Sequence, residues 1–396
     1  MEQLVQLFYE KYADTQTVTI RDFIHQIDWN NRLIGIKGSR GVGKTTLILQ
    51  YIKLNYSPDY KVLYVSLDHF YFLEHRLYDL VDTFYKNGGE FIALDEVHRY
   101  QNWSVEIKNI YDNMPGLKIV FTGSSLLHIN QAKADLSRRA VMYKMPGLSF
   151  REFLEFETGQ DFQKYSIDEI LNKHLEIAVS IKKSIKVIHH FNNYLSLGYY
   201  PFYLENKSSF RQKLLEVIMT VLEIDIPQYA HITTAHIIYL KKLLMIISRS
   251  APFKPNMKNL SNRTGISLNT LKNYLKLLSD AELIKLLYVK QYGINSLNKP
   301  EKIFLHNTNL MQALVTDTDK GNMRETFFFN QVSVNYKVAA SKTTDFVVND
   351  IWEFEVGGKN KTRKQIAGNS NAFVVKDDIE IGYMNVIPLW LFGFLY

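Results

Sequence analysis

The chain has 396 residues, of which 46% are apolar, and this predicts a globular protein of two or three domains. The absence of cysteine excludes disulfides, thiolate zinc sites and a cysteine nucleophile. A net charge of +7 favours an acidic partner without identifying it. The amino terminus lacks the apolar core of a signal peptide, and the longest apolar stretch, residues 386–396, is about half the length of a membrane span. We therefore expect a cytoplasmic protein with no membrane partner.

The first informative segment predicts a strand at residues 33–36, a glycine-rich turn and a helix that begins at Thr45. The turn matches the spacing G-x-x-x-x-G-K-[ST], in which backbone N–H groups and a helix N-terminus converge on phosphate. Lys44 is expected to reach the β- and γ-phosphates of a nucleoside triphosphate, and the Thr45 hydroxyl to ligate Mg²⁺. The predicted nucleotide-binding residues of this loop are Gly38, Ser39, Arg40, Gly41, Val42, Gly43, Lys44, Thr45 and Thr46. A chance glycine turn before an ordinary helix is the alternative, which the strand–turn–helix context disfavours.

A second element follows a predicted strand at residues 62–67. Residues 91–100 begin as a buried-type strand and then place Asp95 and Glu96 side by side. Because the carboxyl ends of strands in an open α/β sheet face the ligand crevice, Asp95 is predicted to hold the hydration shell of Mg²⁺. Glu96 is predicted to polarise the water that attacks the γ-phosphate.

A third predicted strand, at residues 117–121, precedes two serines. Ser124 or Ser125 would hydrogen-bond the γ-phosphate or the attacking water, and the alternative is a helix cap. Farther on, Arg138 and Arg139 are candidates for stabilising transition-state charge in a neighbouring subunit. A solvated surface arginine is the alternative there.

The motifs GSRGVGKTT, LDEVHR, FTGSS, LSRRA and MPGLSFREFL, in this order, resemble those of the AAA+-type bacterial and archaeal ATPases related to the STAND class. The resemblance implies a nucleotide-gated ATPase that works as a homo-oligomer, with Asp95 linked to magnesium and Glu96 as the hydrolytic base. It implies Arg139 as the arginine finger. The chain has Ser-Arg-Arg where the family usually has Ser-Gly-Arg, so the choice between Arg138 and Arg139 stays open.

Two further details bear on the nucleotide. Residues 197–202, LGYYPF, resemble the family's Gly-Gly-x-Pro lid motif, with Tyr199 in place of the second glycine. No Asn-Lys-x-Asp guanine-reading motif follows the phosphate loop. ATP is therefore predicted rather than GTP.

The positive charge is concentrated in residues 251–300, where eight Lys and Arg residues accompany two acids. Within this segment the pattern predicts a short helix from Leu260, a turn at Gly265, a second helix capped by Ser267, and a strand at residues 283–289. This is the order of a winged helix-turn-helix, which the segment resembles. The apolar face of the second helix is predicted to consist of Leu268, Leu271, Leu275 and Leu278.

The second helix of this segment is the predicted recognition helix for DNA. The residues predicted to contact DNA, the lysines mainly at phosphates, are Asn269, Thr270, Lys272, Asn273 and Lys276. The alternative is an intramolecular lid or an oligomerisation module.

From residue 300 onward the chain changes to short strands and aromatic runs and resembles the PD-(D/E)xK nuclease-like domain that accompanies these ATPases. Such nucleases need carboxylates around a metal, and the candidates are Glu325, opening a helix, and Asp345 and Glu355, on successive strands. Solvated strand ends are the alternative.

Two departures from the nuclease pattern predict an inactive or weak module. The family has a lysine two residues after the last Glu, whereas this chain has Gly357 at that position, and Lys359 lies past the expected end of the strand. Asn307 also stands where relatives often have Asp.

The predicted fold is therefore α/β: a P-loop NTPase with a parallel sheet flanked by helices, an α-rich winged helix-turn-helix and a small α+β restriction-endonuclease-like domain. The predicted bounds are 1–205 for the ATPase with its helical lid, 206–295 for the winged helix and 296–396 for the last domain.

The predicted function is an ATP-hydrolysing switch that uses ATP and Mg²⁺ and acts on or near DNA. The alternatives are a DNA-binding regulator with ATP as a structural ligand, and an ATP-gated metal-dependent nuclease. A protein partner is not identified by the sequence.

Overall fold

The computed structural model of the protein describes residues 1–59, 61–127, 136, 138–230, 232–289, 299–362, 366 and 368–396. They form two compact units, Met1–Gly147 and Leu148–Tyr396. The helices predicted as the lid of the ATPase thus belong to the second unit. The predicted boundary at 205/206 does not coincide with this division, and the one at 295/296 lies outside the described residues, so both stay predictions.

The first unit is built on a parallel sheet of five strands in the order β2-β3-β4-β1-β5. Its strands are β1 (Leu33–Lys37), β2 (Val62–Ser66), β3 (Phe91–Asp95), β4 (Lys118–Gly123) and β5 (Val141–Lys144). Strand β3 is buried along its whole length, as expected of an apolar strand covered on both faces. The predicted α/β fold with a parallel sheet is confirmed.

Helices accompany this sheet. They are α1 (Glu2–Asp14), α2 (Phe23–Gln26), α3 (Lys44–Asn55), α4 (Leu77–Lys86) and α5 (Trp103–Asn113). Since all five strands run the same way, their carboxyl ends meet at one edge of the sheet. The segments that follow β1, β3 and β4 therefore come together at that edge.

The second unit begins with helices. They are α6 (Phe150–Thr158), α7 (Ile167–Lys182), α8 (Val187–Leu197), α9 (Phe210–Thr220), α10 (Ile226–Ala230) and α11 (Thr234–Ser248). Ser149 and Glu152 form a capping box at the start of α6, each side chain bonded to the other's backbone N–H, which satisfies two donors that a helix start leaves open.

A helix–turn–helix–hairpin sequence follows. Helix α12 (Met257–Thr264) ends at Gly265, whose φ of 77° is the left-handed conformation that glycine allows, and α13 (Leu268–Asp280) follows. Strand β6 (Ile284–Leu287), shorter than predicted, pairs antiparallel with β7 (Lys302–Leu305). Leu268 is 41% exposed rather than part of the apolar face, and the buried side chains of α13 are Leu271, Tyr274, Leu275 and Leu278.

The rest of the second unit is a mixed sheet with the order β12-β11-β10-β9-β8. Two helices precede this sheet, α14 (Thr308–Leu314) and α15 (Lys320–Val332). The strands of the sheet are β8 (Val338–Ala340), β9 (Phe346–Val348), β10 (Trp352–Gly357), β11 (Ala372–Lys376) and β12 (Val386–Pro388). Strands β8, β9 and β10 are antiparallel, and β11 and β12 continue the sheet in parallel to β10. Helix α15 is capped by Asp319, so Glu325 lies in its middle and does not open it as predicted.

Within the described part of the chain, none of the helices combines the length and the apolar character needed to cross a membrane.

Candidate nucleotide-binding site

The glycine-rich turn between β1 and α3 has the backbone of a phosphate-binding loop. Gly41 and Gly43 have φ angles of 87° and 93°, a conformation that side chains with a Cβ rarely adopt. A Cβ on Gly38 would lie 2.4 Å from the carbonyl oxygen of Met145. The conformation of the loop therefore depends on these three glycines, and it ends where α3 begins at Lys44.

Lys44 lies inside this loop. Its side chain is buried, and Nζ donates hydrogen bonds of 3.0 Å to the carbonyl oxygens of Gly38 and Ser39. An ammonium group held at the start of α3, where the helix dipole is positive, is placed to meet phosphate oxygens. Thr46, by contrast, is exposed.

Asp95 lies at the carboxyl end of β3 and is 3% exposed, and three hydroxyl groups donate to its carboxylate. Thr45 and Tyr64 each donate to Oδ2 over 2.7 Å, and Thr122 donates to Oδ1. Burial raises the pKa of Tyr64, and the negative charge of Asp95 adds to the rise, so the phenol keeps its proton and remains a donor. The carboxylate is thereby fixed in orientation beside the phosphate-binding loop.

The residues that could hold Mg²⁺ are Thr45 and Asp95. Because Thr45 gives its hydrogen to Asp95, the lone pairs of its hydroxyl oxygen face away from the carboxylate and can face a cation. Oxygen donors of this kind suit a hard cation that keeps water molecules and phosphate oxygens as its other ligands. The residues present therefore fit the ion.

Glu96 has a left-handed backbone, with φ 54°, and its N–H donates to the hydroxyl of Thr122 over 3.0 Å. Its Oε2 lies 3.7 Å from Nη2 of Arg40, in the phosphate-binding loop, and 3.5 Å from Nε2 of His98. His98 accepts the N–H of Ser124 at Nδ1 over 3.4 Å, which leaves Nε2 as the protonated nitrogen in the neutral ring. The carboxylate of Glu96 is thus held close to the phosphate-binding loop.

Ser124 has a local role in this structure. Its Oγ accepts the backbone N–H of Leu126, two residues farther on, over 3.2 Å in the turn that follows β4. Its predicted contact with phosphate stays a prediction.

Arg139 lies just before β5 and pairs with Asp112, at the end of α5. The guanidinium donates to both carboxylate oxygens, each over 2.9 Å, and this contact lowers the pKa of Asp112. Arg138 has a left-handed backbone, with φ 71°, and Ser137 lies outside the described residues. Within its own unit, Arg139 is held by a carboxylate.

Sequence analysis missed three residues that support the loop and Asp95. Arg21 is buried and donates to the carbonyls of Val42, Pro146 and Gly147 over 2.8 to 3.1 Å, which ties the loop to the segment after β5. It lies in no motif that would have revealed it. Tyr64 and Thr122 were missed as well, although Thr122 could have been found from its place at the carboxyl end of a predicted strand.

The residues predicted to contact DNA lie on α13 of the second unit. Asn269, Lys272, Asn273 and Lys276 are exposed there. A cavity of about 430 Å³ borders the same helix. Its lining residues are Tyr229, Ala230, Ile232, His236, Thr270, Asn273, Tyr274, Lys276, Leu277 and Asp280. Part of the predicted DNA-contact surface therefore also faces this cavity.

The predicted nuclease carboxylates also lie in the second unit. Glu325 and Asp345 share the ammonium group of Lys302, and Glu355 pairs with Lys361. Lys359 is exposed, so the lysine that reaches Glu355 is not the one that the sequence suggested. Asn307 caps α14, where its Oδ1 accepts the N–H of Leu310.

Comparison with known proteins gives two family matches. Residues 30–154 match a family described as an AAA domain, and residues 188–321 match one described as a domain of unknown function (DUF8612). No curated protein matches the chain.

Solved structures similar to the chain include three that share low identity with it. AMPPCP-bound DnaA from Aquifex aeolicus is 15% identical, with a TM-score of 0.24 over 70% of this chain and 88% of that one. PCH-2 of C. elegans is 17% identical, with a TM-score of 0.26 over 69% of this chain and 67% of that one. A DNA replication initiation factor is 16% identical, with a TM-score of 0.26 over 70% and 88%.

The AAA-domain match covers β1, the phosphate-binding loop, Asp95 and Glu96. Together with the parallel sheet and the buried lysine of the loop, it supports assigning this segment as a nucleotide-binding P-loop ATPase domain.

Proposed function

We propose that the chain is an ATP-hydrolysing molecular switch that acts on or near DNA. The observation that supports this best is the convergence of Lys44 and Thr45 with Asp95 and Glu96 at one edge of the parallel sheet. These residues come from segments about 50 residues apart and supply the groups that phosphoryl transfer to water requires.

Each group has a separate task in hydrolysis. Lys44 binds the β- and γ-phosphates, and Thr45 with Asp95 holds a magnesium ion, which when bound offsets the charge of the phosphates. Glu96 takes the proton of a water molecule whose oxygen forms a bond to the γ-phosphorus. The bond between that phosphorus and the oxygen of the β-phosphate breaks, and ADP and inorganic phosphate leave.

The switch is proposed to work between copies of the chain. Arg139 pairs with Asp112 over two bonds, and the pair lies at the surface with partly exposed side chains. A surface ion pair of this kind contributes little to stability, so the arginine can exchange Asp112 for the nucleotide of a neighbouring subunit.

Mixing two inactive variants tests this. Arg139→Ala keeps an intact phosphate-binding loop, and Lys44→Ala keeps an intact Arg139, so a mixture should regain ATP hydrolysis that neither has alone. A second mixture combines Arg138→Ala with Lys44→Ala. If hydrolysis is regained in this second mixture and not in the first, the role belongs to Arg138. No recovery in either mixture would refute an arginine that acts between subunits.

The proposed contact with DNA rests on the α12–turn–α13–hairpin order and on the exposed Lys272 and Lys276 of α13. ATP hydrolysis should be measured with and without double- and single-stranded DNA at two salt concentrations. Stimulation that falls steeply with salt, and less steeply in Lys272→Ala and Lys276→Ala, is the expected result. Lys241→Ala, outside α13, is the matched control.

The same assay separates the main proposal from a second candidate, a DNA-binding regulator that holds ATP as a structural ligand. A purified chain that binds ATP but releases no phosphate, with or without DNA, would belong to that second class.

A further inference from the structure

The carboxylate cluster of the second unit consists of Glu325, Asp345 and Glu355 with two lysines, Lys302 and Lys361. Glu325 lies on α15, Asp345 directly before β9 and Glu355 on β10. A nuclease-like module would use these carboxylates to bind a divalent metal. The contacts of the two lysines show that the residues present do not fit this ion.

Lys302 lies between two of the carboxylates. Its Nζ donates to Oε2 of Glu325 over 2.9 Å and to Oδ1 of Asp345 over 3.3 Å. The other oxygen of Asp345 accepts the backbone N–H of Val356 over 2.9 Å. Both oxygens of Asp345, the central carboxylate, are thus engaged by donors within the protein.

Lys361 neutralises the third carboxylate. Its Nζ pairs with Oε1 of Glu355, whose side chain is 4% exposed. The stem of Lys361 passes directly over Gly357. A Cβ on that glycine would lie 2.7 to 2.8 Å from Cβ, Cγ and Cδ of the lysine. A side chain at position 357 would therefore collide with Lys361, and the glycine at this position makes room for a lysine that arrives from four residues farther along the chain.

Lys302 remains charged in these surroundings. Burial acts to lower the pKa of Lys302, but Glu325 and Asp345 outweigh it and hold the pKa above its ordinary value. Burial raises the pKa of Glu355, and the contact with Lys361 opposes that rise. Within the described residues, no group of three or more acidic or histidine side chains has the spacing to hold a metal ion.

We propose that Lys302 and Lys361 are built-in cations that take the place of a divalent metal in the carboxylate cluster. The cluster is then an anchor within the second unit and not a centre of phosphodiester cleavage. Lys302 belongs to β7, so its bonds tie the β6–β7 hairpin to α15 and to the residue before β9. The hairpin is also joined to the sheet that contains β8 and β9, because the N–H of Ala340 in β8 donates to the carbonyl of Tyr288 over 2.8 Å. This proposal is independent of ATP hydrolysis in the first unit.

Binding of Mn²⁺ to the nucleotide-free full chain, measured by calorimetry, tests the proposal. The unaltered chain and the isosteric variant Glu355→Gln should bind Mn²⁺ to the same extent. Lys302→Met combined with Lys361→Met should create a Mn²⁺ site, because it frees the carboxylates from their ammonium partners, and adding Asp345→Asn should abolish that site. Binding to the unaltered chain that Glu355→Gln removes would overturn the proposal, and so would a folded double variant that gains no site.

Plasmid DNA incubated with the chain and Mg²⁺ or Mn²⁺ supplies a test that does not depend on the folding of the lysine variants. We expect no cleavage above that of Glu355→Ala. Cleavage by the unaltered chain that is lost in Glu355→Ala would show a working metal centre and refute the anchor role.

Discussion

The hydroxyl of Thr45 donates a hydrogen bond of 2.7 Å to Oδ2 of Asp95, and this bond joins the first turn of α3 to the carboxyl end of β3. The two residues are the pair expected to hold magnesium beside the phosphates. Their contact fixes both groups at one edge of the sheet, beside the phosphate-binding loop. A preorganised site of this kind costs less reorganisation at the moment of reaction.

The ammonium of Lys44 is expected to dominate nucleotide affinity. Lys44→Ala removes a charged donor from the loop, and hydrogen bonds to charged groups contribute about 1.5–3 kcal/mol each, so ATP affinity should fall by about 100-fold or more. Calorimetric titration with ATP measures this. Lys86→Ala, an exposed lysine paired with Asp82, is the control and should bind normally. Unchanged affinity in Lys44→Ala would contradict the assigned site.

Glu96→Gln should separate binding from turnover. The amide keeps the shape of the side chain but cannot accept the proton of water, and loss of a general base costs about 100- to 10,000-fold in rate. Phosphate release should therefore fall by this factor while ATP affinity is retained. Glu90→Gln, an exposed acid at the opposite end of β3, should hydrolyse ATP normally. Full activity in Glu96→Gln would exclude it as the base.

Tyr64 is expected to position the magnesium-linked carboxylate. Tyr64→Phe removes one of the three hydroxyl donors to Asp95, so the carboxylate loses part of its alignment. A lost hydrogen bond to a charged group, about 1.5 kcal/mol, predicts a roughly tenfold rise in the Mg²⁺ concentration for half-saturation of the ADP-bound chain. ADP affinity in the presence of a chelator should not change.

Tyr78→Phe is the control for this experiment, because its hydroxyl accepts a bond from Asn113 away from Asp95. Equal Mg²⁺ requirements in Tyr64→Phe and Tyr78→Phe would show that Tyr64 serves packing alone.

A buried histidine predicts how stability of the second unit depends on pH. Burial lowers the pKa of His174 below its ordinary value of 6.5, so the unfolded chain binds the proton more readily than the folded one. The free energy of unfolding should fall as pH drops below that ordinary value, by up to about 1.4 kcal/mol per pH unit.

Urea unfolding followed between about pH 8 and pH 5 measures this slope. His174→Gln should lose the contribution, and His25→Gln, which removes an exposed histidine of the first unit, should keep it. The same slope in His174→Gln would assign the pH dependence to other groups.

The phosphate-binding loop and the strand that ends in Asp95 could be predicted because both depend on neighbouring residues. Glycines at fixed offsets allow the turn between a strand and a helix, and an apolar run followed by acids marks the end of a buried strand. Such patterns are visible in any one stretch of the chain. The same reasoning predicted Gly265 and Ser267 between α12 and α13, and both are found there.

What only the tertiary structure decided is which distant residues meet. The register that pairs Leu94 with Phe121 places Asp95 beside Thr122, and the pairing of β2 with β3 brings Tyr64 within reach of the same carboxylate. In the second unit, Lys361 and not Lys359 pairs with Glu355. Lys302, which belongs to the two-stranded sheet, pairs with Glu325 of the same carboxylate cluster.

The physical reason is the difference between local and long-range geometry. Backbone conformation over a few residues is limited by each residue's own sterics, and therefore leaves a pattern in the sequence. Contacts such as that between Lys302 and Asp345 depend on strand order, register and the free space above a glycine, which arise only when the chain is packed. The sequence by itself thus determined the glycine-rich loop and the strand that ends in Asp95, whereas tertiary structure decided which side chains support Asp95 and which cations neutralise the carboxylate cluster.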